Sequence, residues 1–327
     1  MRILVTGATG KVGQACIAEI LESKDFENAS IVALCHNRTL NPTDRIETIK
    51  GSIADQKTVT EALKGITHVI HLATCKETPE EVMDVTVKGL FWLLEECRKS
   101  SIFKHFILVG GDASMGHFFY DHSIPVTEAQ KHTAYPGCYA LSKVLEEVML
   151  EQYQIQYDFP GTCLRAPWIM EKDDFKFSLS FGKDVFGGPV WRELVDENEA
   201  DQHHKKGTIP LMLDSQNVPI KRNFVHVDDL VRAIQCAILN PVPAKGQTFN
   251  ICMDEPVDYK KVSKYLKETR NLESVLVKTQ YCSTWLDNSK AKFLLDWRPK
   301  VDLHELIDRA WNYTRKEEDV RKIWYPG

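Results

Sequence analysis

No Cys-x-x-Cys pair occurs among the nine cysteines of this 327-residue chain, and their number is odd. That excludes a zinc ribbon and argues for reduced thiols rather than a disulfide framework. No apolar run reaches membrane length, and the first strand begins at Met1 with no room for a secretory signal, so the expectation is a cytosolic (cytoplasmic) protein with no membrane partner. Basic residues are not in excess: 41 Lys and Arg face 46 Asp and Glu, a net charge of −5, which gives no support to nucleic acid as a partner. His203-His204 has Lys205-Lys206 beside it and no Cys nearby. It reads as a solvated loop, and no metal site is expected. Internal repeats and low-complexity tracts are missing as well. The length leaves one large domain or two intertwined ones, with ample chain for a core.

Met1-Arg2-Ile3-Leu4-Val5-Thr6 is a short apolar strand run that breaks into Gly7, Gly10 and Gly13, followed by the amphipathic stretch Gln14 to Leu21. A diphosphate approaches backbone closely only where Cβ atoms are missing, and a helix start offers unpaired N–H groups with a positive dipole end. Strand, glycine turn and helix in this order predict a dinucleotide cradle at the first βα turn of a doubly wound fold.

Strand-like and helix-like runs then alternate. Ile31 to Leu34, Val69 to Ala73 and His105 to Val109 read as strands, and Val82 to Lys99 as a long helix. Such alternation predicts an α/β protein with a parallel sheet covered on both faces. From about Met170 to Lys221 glycine and proline punctuate the chain and periodicity weakens, as in a lid or substrate-binding unit.

The chemistry is read at Tyr139-Ala140-Leu141-Ser142-Lys143. Positions i and i+4 share a helix face, so the ammonium can sit beside the phenol and bring tyrosinate within reach near neutral pH. Reversible proton transfer to or from a carbinol needs such a group while a hydride moves to or from nicotinamide.

With these residues in place, the chain resembles the extended short-chain dehydrogenase/reductase family, in its NAD-dependent epimerase/dehydratase group. The resemblance rests on the Gly7 to Gly13 loop, Gly51-Ser52-Ile53-Ala54-Asp55, His71-Leu72-Ala73, Tyr139/Lys143, Leu164-Arg165-Ala166-Pro167, the Arg222 to Asp229 segment, Phe249-Asn250-Ile251 and Asp287 to Ala291. It implies a Rossmann-type doubly wound parallel sheet with a smaller C-terminal substrate domain. The division expected is residues 1–169 with about 223–251 for the dinucleotide-binding domain, and 170–222 with 252–327 for the substrate domain. A homodimer through the helices around Phe91 and Leu145 is also implied.

Departures from the family are informative. Anchoring Val109 to Gly116 on Gly116 puts glycine where most members have a catalytic serine or threonine, and Ser114 is the nearest hydroxyl that could substitute. Gly110 and Gly111 leave a widened pocket. Thr86 stands at the usual asparagine position. The arginine that grips a nucleotide-sugar diphosphate is missing before Trp285, where the chain reads Val277-Lys278-Thr279-Gln280. Phe175, Phe177, Phe181, Phe186 and Trp191 look suited to apolar faces of a substrate, with packing of the small domain the expected role for most of them. At the end of the second strand stands Cys35-His36-Asn37-Arg38, without a carboxylate for the ribose 2′-OH. With Lys11 in the loop this favours NADP, with NAD as the alternative.

The expected catalytic residues are Tyr139, Lys143 and Ser114. The cofactor would lie against Gly7, Thr9, Gly10, Lys11, Val12, Gly13, His36, Arg38, Ser52, Ile53, Leu72, Ala73, Thr74, Tyr139, Lys143 and Pro167. Gly111, Asp112, Trp168 and Arg222 would meet the substrate. The reading is hydride exchange between NADP or NAD and a hydroxyl or ketone of a small, polar, carbohydrate-like molecule. A nucleotide-sugar epimerase with retained cofactor and a catalytically silent cofactor-binding sensor are the alternatives; intact Tyr139 and Lys143 weigh against the sensor.

Overall fold

A computed structural model describes residues 1–183 and 188–316. The apolar run after Met1 forms strand β1 (Arg2–Thr6), and its alternate side chains part to opposite faces of a sheet. Ile3 and Val5 join the core under helix α1 (Lys11–Glu22) and the helix Val227–Leu239. Leu4 joins a second core on the other face, with helices α2 (Gln56–Ala62), α4 (Gly89–Lys99) and α5 (Cys138–Tyr157) packed over it. A strand buried on both faces needs continuous apolar sequence, as β1, β2 (Ser30–Cys35) and β5 (His105–Gly111) show.

With β3 (Ile46–Lys50), β4 (His68–His71), β6 (Gly161–Ala166) and β11 (Gln247–Asn250), these make a seven-stranded sheet in the order β11-β6-β5-β4-β1-β2-β3. Every pairing in it is parallel. The chain builds outward from β1 to β3, then returns to place β4 on the other side of β1. That reversal opens a crevice at the carboxyl ends of β1 and β4, where Thr6 stands opposite His71.

Beyond β6 the chain leaves the sheet and returns to it through β11. Strands β7 (Trp168–Met170) and β10 (Phe224–His226) pair with each other, as do β8 (Ile209–Leu213) with β13 (Ser274–Lys278) and β9 (Lys221–Arg222) with β12 (Val257–Asp258). A separate core including Phe175, Phe181, Trp191, Tyr259 and Leu306 lies among them.

Several expectations need correction. β4 stops at His71, because Leu72 and Ala73 turn away and give their N–H groups to the Thr6 hydroxyl at 3.1 and 3.2 Å. β5 runs on through Gly110 and Gly111, whose backbones pair with β6. The helix expected from Val82 begins earlier, with α3 (Pro79–Val82), and passes through one π-helical turn at Met83–Lys88 before α4. His203 and His204 lie in the last turn of the helix Glu197–Lys206, not in a loop, with the His203 ring beside Phe181. Ala291, Leu295 and Trp297, placed with the substrate domain, pack into the sheet core instead, and Trp297 donates to the Asp229 carbonyl at 2.9 Å.

Candidate active site

A cleft with a volume of about 590 Å³ lies in that crevice. Its floor is the glycine loop. A Cβ on Gly13 would meet the Gly7 carbonyl oxygen at 2.3 Å, and one on Gly7, which sits at φ 65°, would meet Ala73 N at 2.9 Å. These approaches leave no room for side chains. α1 starts there with no side-chain cap and no acidic residue in its first turn, so its free N–H groups face an anion position. A dinucleotide fits these residues: backbone donors for a diphosphate, and Ser52 and Ile53 on the β3 side of the cleft.

Gly7, Thr9, Gly10, Lys11, Val12, Gly13, His36, Ser52, Ile53, Leu72, Ala73, Thr74 and Pro167 all line the cleft, as do Gly111, Asp112, Trp168, Tyr139 and Lys143. The structure thus brings together residues from seven separate stretches of sequence.

Tyr139 and Lys143 lie in the first turns of α5, with the ammonium 5.7 Å from the centre of the phenol ring. Lys143 is buried and donates to Glu146 Oε2 at 2.7 Å. Burial opposes its charge, but Glu146 and Tyr139 outweigh burial and hold its pKa above the ordinary lysine range. Burial pushes the Glu146 carboxyl up to about 7, although Lys143 pulls the other way. Behind it stands His71, whose Nε2 lies 4.0 Å from Glu146 Oε1 and whose Nδ1 shares a 2.7 Å bond with Thr6. Burial and then Lys143 depress this imidazole to about 3, so it is neutral at pH 7.

Lys76 was not anticipated; its ammonium lies 4.0 Å over the Tyr139 ring. Glu77 Oε2 accepts from the Tyr139 N–H at 3.3 Å. Tyr135 also lines the cleft, and burial, followed by Tyr139, Glu77 and Asp112, raises its phenol above the usual range. Only the fold brings these side chains to the tyrosine, and no local pattern in the sequence marks them.

Ser114 is not in the cleft. Its hydroxyl is fully buried, 2.9 Å from the Gly111 carbonyl and 2.8 Å from Glu147 Oε1, which turns it away from any substrate. Glu147 is the hub of this hidden network. It accepts from Arg165 at 2.6 and 3.2 Å and pairs with His132 at 3.0 Å. Burial alone would raise its pKa; His132, Arg165 and Ser114 together bring it to about 2. Gly110 faces the same network, since a Cβ there would meet Cys163 Sγ at 2.9 Å; only Gly111 faces the tyrosine. The widening ascribed to both glycines therefore belongs to Gly111 alone.

The basic residues are committed within the protein. Lys11 pairs with Asp174 and donates to the Ile169 carbonyl at 3.0 Å, and Arg38, outside the cleft lining, donates to the Thr9 carbonyl. Arg222 borders a small cavity adjoining the cleft, its guanidinium 4.0 Å from the Phe118 ring and 4.2 Å from Trp168. Thr86 Oγ1 accepts from Cys75 N at 2.9 Å. Of the aromatic residues between Glu171 and Lys221, Phe175, Phe181 and Trp191 are fully buried core, in keeping with the packing role expected for most of them, Phe177 is half-buried, and Phe186 lies outside the described residues.

Known proteins resemble this chain in sequence and in fold. The chain is 24% identical to an uncharacterized UDP-glucose epimerase, YtcB, of Bacillus subtilis (strain 168), over 93% of this chain and 95% of that one. Its fold matches a short-chain dehydrogenase/reductase superfamily protein of Agrobacterium tumefaciens crystallised with NAD, at a TM-score of 0.77, with 20% identity and 95% and 96% of the two chains covered. It also matches the UDP-glucuronic acid 4-epimerase of Bacillus cereus in complex with UDP-glucuronic acid and NAD, at a TM-score of 0.73, 20% identity, and 96% and 98% coverage. Residues 3–170, more than half of the sequence, match the NAD dependent epimerase/dehydratase family, and the chain belongs to it.

Proposed function

We propose that this protein is an NAD-dependent oxidoreductase that exchanges a hydride with a hydroxyl or ketone carbon of a polar, carbohydrate-like substrate. The observation that carries the reading is the placement of Tyr139 and Lys143 in one cleft with the Gly7 to Gly13 loop. When bound, the nicotinamide cofactor supplies the hydride acceptor or donor. Tyr139 moves the proton at the substrate oxygen, as a positioned general base or acid. Lys143 keeps a positive charge beside the phenol in a buried setting, where such a charge acts strongly. Glu146 anchors that ammonium from below.

NAD suits the residues better than NADP. The preference for a 2′-phosphate rested on Lys11, His36 and Arg38, and both permanent cations among them are engaged, Lys11 by Asp174 and Arg38 by the Thr9 carbonyl. Calorimetry should find NADH bound at least as tightly as NADPH; tenfold tighter NADPH would restore the phosphate reading.

A nucleotide-sugar epimerase is the second reading, favoured by the full-length similarity to a UDP-glucose epimerase. Against it, no arginine stands at Val277 to Gln280, where Val277 is buried in β13. Incubation with NAD⁺ separates the two: net NADH formation with free sugars or sugar acids supports the oxidoreductase. Conversion of UDP-glucose to its C4 epimer without net NADH would replace it. A homodimer through α4 and α5 belongs to the same proposal, supported by exposed Phe91, Leu141 and Val148 on those helices.

A further inference from the structure

At Gly111 the wall beside Tyr139 is bare: the first carbon of a side chain there would lie 3.8 Å from the tyrosine hydroxyl. The polar groups next along this wall are Asp112 and His117. They are joined by a 2.6 Å contact between Asp112 Oδ2 and His117 Nδ1, and both line the cleft. Their side chains are 13% and 11% exposed, so the pair is largely shielded yet open on the cleft side.

Three features show a built arrangement. His117 is held at φ 48°, a left-handed conformation that costs a non-glycine residue energy, directly after Gly116 at φ 83°. Its ring stacks on Tyr135, with centroids 5.4 Å apart and planes 18° from parallel. The small cavity behind the pair also holds Asn223, whose side-chain oxygen and nitrogen are buried without a hydrogen-bond partner, and Thr284, whose hydroxyl is likewise unpartnered. Buried polar atoms left in this state are costly unless a ligand or water completes them.

Asp112 Oδ2 occupies the Nδ1 side of the His117 ring at 2.6 Å, and the imidazole tautomer that carries its proton on Nδ1 presents the lone pair of Nε2. No described residue occupies Nε2. The hydroxyl whose proton goes to Tyr139 cannot also donate to Nε2, which therefore accepts from a second hydroxyl. Resting on the hydride-exchange reading above, we propose that His117, oriented by Asp112, is a substrate-binding residue that accepts a hydrogen bond from a hydroxyl neighbouring the reacting one. The substrate class this assigns is a vicinal diol, held by Tyr139 on one oxygen and His117 on the next.

The test measures kcat/KM for NAD⁺ reduction with D-glucose, D-galactose, D-glucuronate and D-galacturonate, each against its monodeoxy analogues. Wild type should prefer the parent over the analogue lacking the neighbouring hydroxyl by about tenfold, as a net hydrogen bond contributes. His117→Asn, which tolerates positive φ but has a shorter reach, should lose that preference and retain NADH affinity. His117→Gln, with an amide oxygen as acceptor, should recover part of it, and Asp112→Asn should fall between. Equal losses on parent and deoxy substrates would make the pair structural and overturn the proposal. The imidazole nitrogen resonances of His117, assigned by their loss in His117→Asn and followed in the NADH complex with the same sugars, give a readout independent of turnover. A shift with the parent sugar and none with the deoxy analogue, without turnover, would sink the hydride-exchange reading and leave the His117 contact standing. No shift with any of the sugars would overturn the contact.

Discussion

Glu147→Gln replaces the hub beneath the active site with a neutral side chain of the same shape. Arg165, 2% exposed, would face a neutral amide with one acceptor oxygen in place of the carboxylate that accepts two of its hydrogen bonds, beside its 3.3 Å bond to Asn250. Removing one partner of a buried pair costs about 3 to 5 kcal/mol, because the other charge is left without compensation. The carboxyl itself gives a second route to the magnitude. Its pKa falls from an ordinary 4.5 to about 2 on folding, which corresponds to about 3 kcal/mol at about 1.36 kcal/mol per pH unit. The two agree. Since the folded-state value is the lower one, this stabilisation is complete above pH 4.5 and is lost as the pH falls toward 2. Urea unfolding of wild type and Glu147→Gln should therefore differ by about 3 kcal/mol at pH 7, and the difference should shrink steadily below pH 4.5. A difference under about 1 kcal/mol at pH 7, or one that does not change with pH, would refute the reasoning.

Other substitutions separate chemistry from support. Tyr139→Phe should bind NADH as wild type does and lose about 10²- to 10⁴-fold in kcat, measured with whichever sugar wild type oxidises. Ser114→Ala should do the reverse. It removes a hydrogen bond to a charged partner, costing about 1.5 to 3 kcal/mol in unfolding experiments, while kcat stays within about threefold. Gly13→Ala puts a carbon 2.3 Å from the Gly7 carbonyl, and calorimetry should show NADH binding lost or weakened more than tenfold. If α4 and α5 form a dimer interface, Leu141→Glu should give monomers in sedimentation; an unchanged mass would place the interface elsewhere or show that none exists.

The parts of the site that were legible in the sequence are those with local causes. Gly7, Gly10 and Gly13 lie within seven residues, and Tyr139 and Lys143 are one helical turn apart; neither spacing is specific by itself, and the two together on one chain carried the reading. The parallel sheet followed from apolar runs at β1, β2 and β5, which burial on both faces requires. What escaped depends on contacts between distant segments. Ser114 looked catalytic because it is a hydroxyl near the right glycine, and only Glu147, 33 residues on, shows why it turns inward. Lys11 and Arg38 looked free to bind phosphate until Asp174 and the Thr9 carbonyl were seen beside them. His117 gave no signal at all, because its role depends on Asp112 and on a left-handed backbone that the sequence does not reveal.

The central claim is that the cleft holding the glycine loop, Tyr139 and Lys143 performs hydride exchange. It is tested most directly by following nicotinamide absorbance when NAD⁺ and a panel of free aldoses and uronic acids are mixed with wild type and with Tyr139→Phe, after both have been shown by calorimetry to bind NADH equally. NADH should form with wild type and at least one sugar, and its formation should be lost in Tyr139→Phe. Undiminished turnover in Tyr139→Phe, or no NADH binding by wild type, would contradict it.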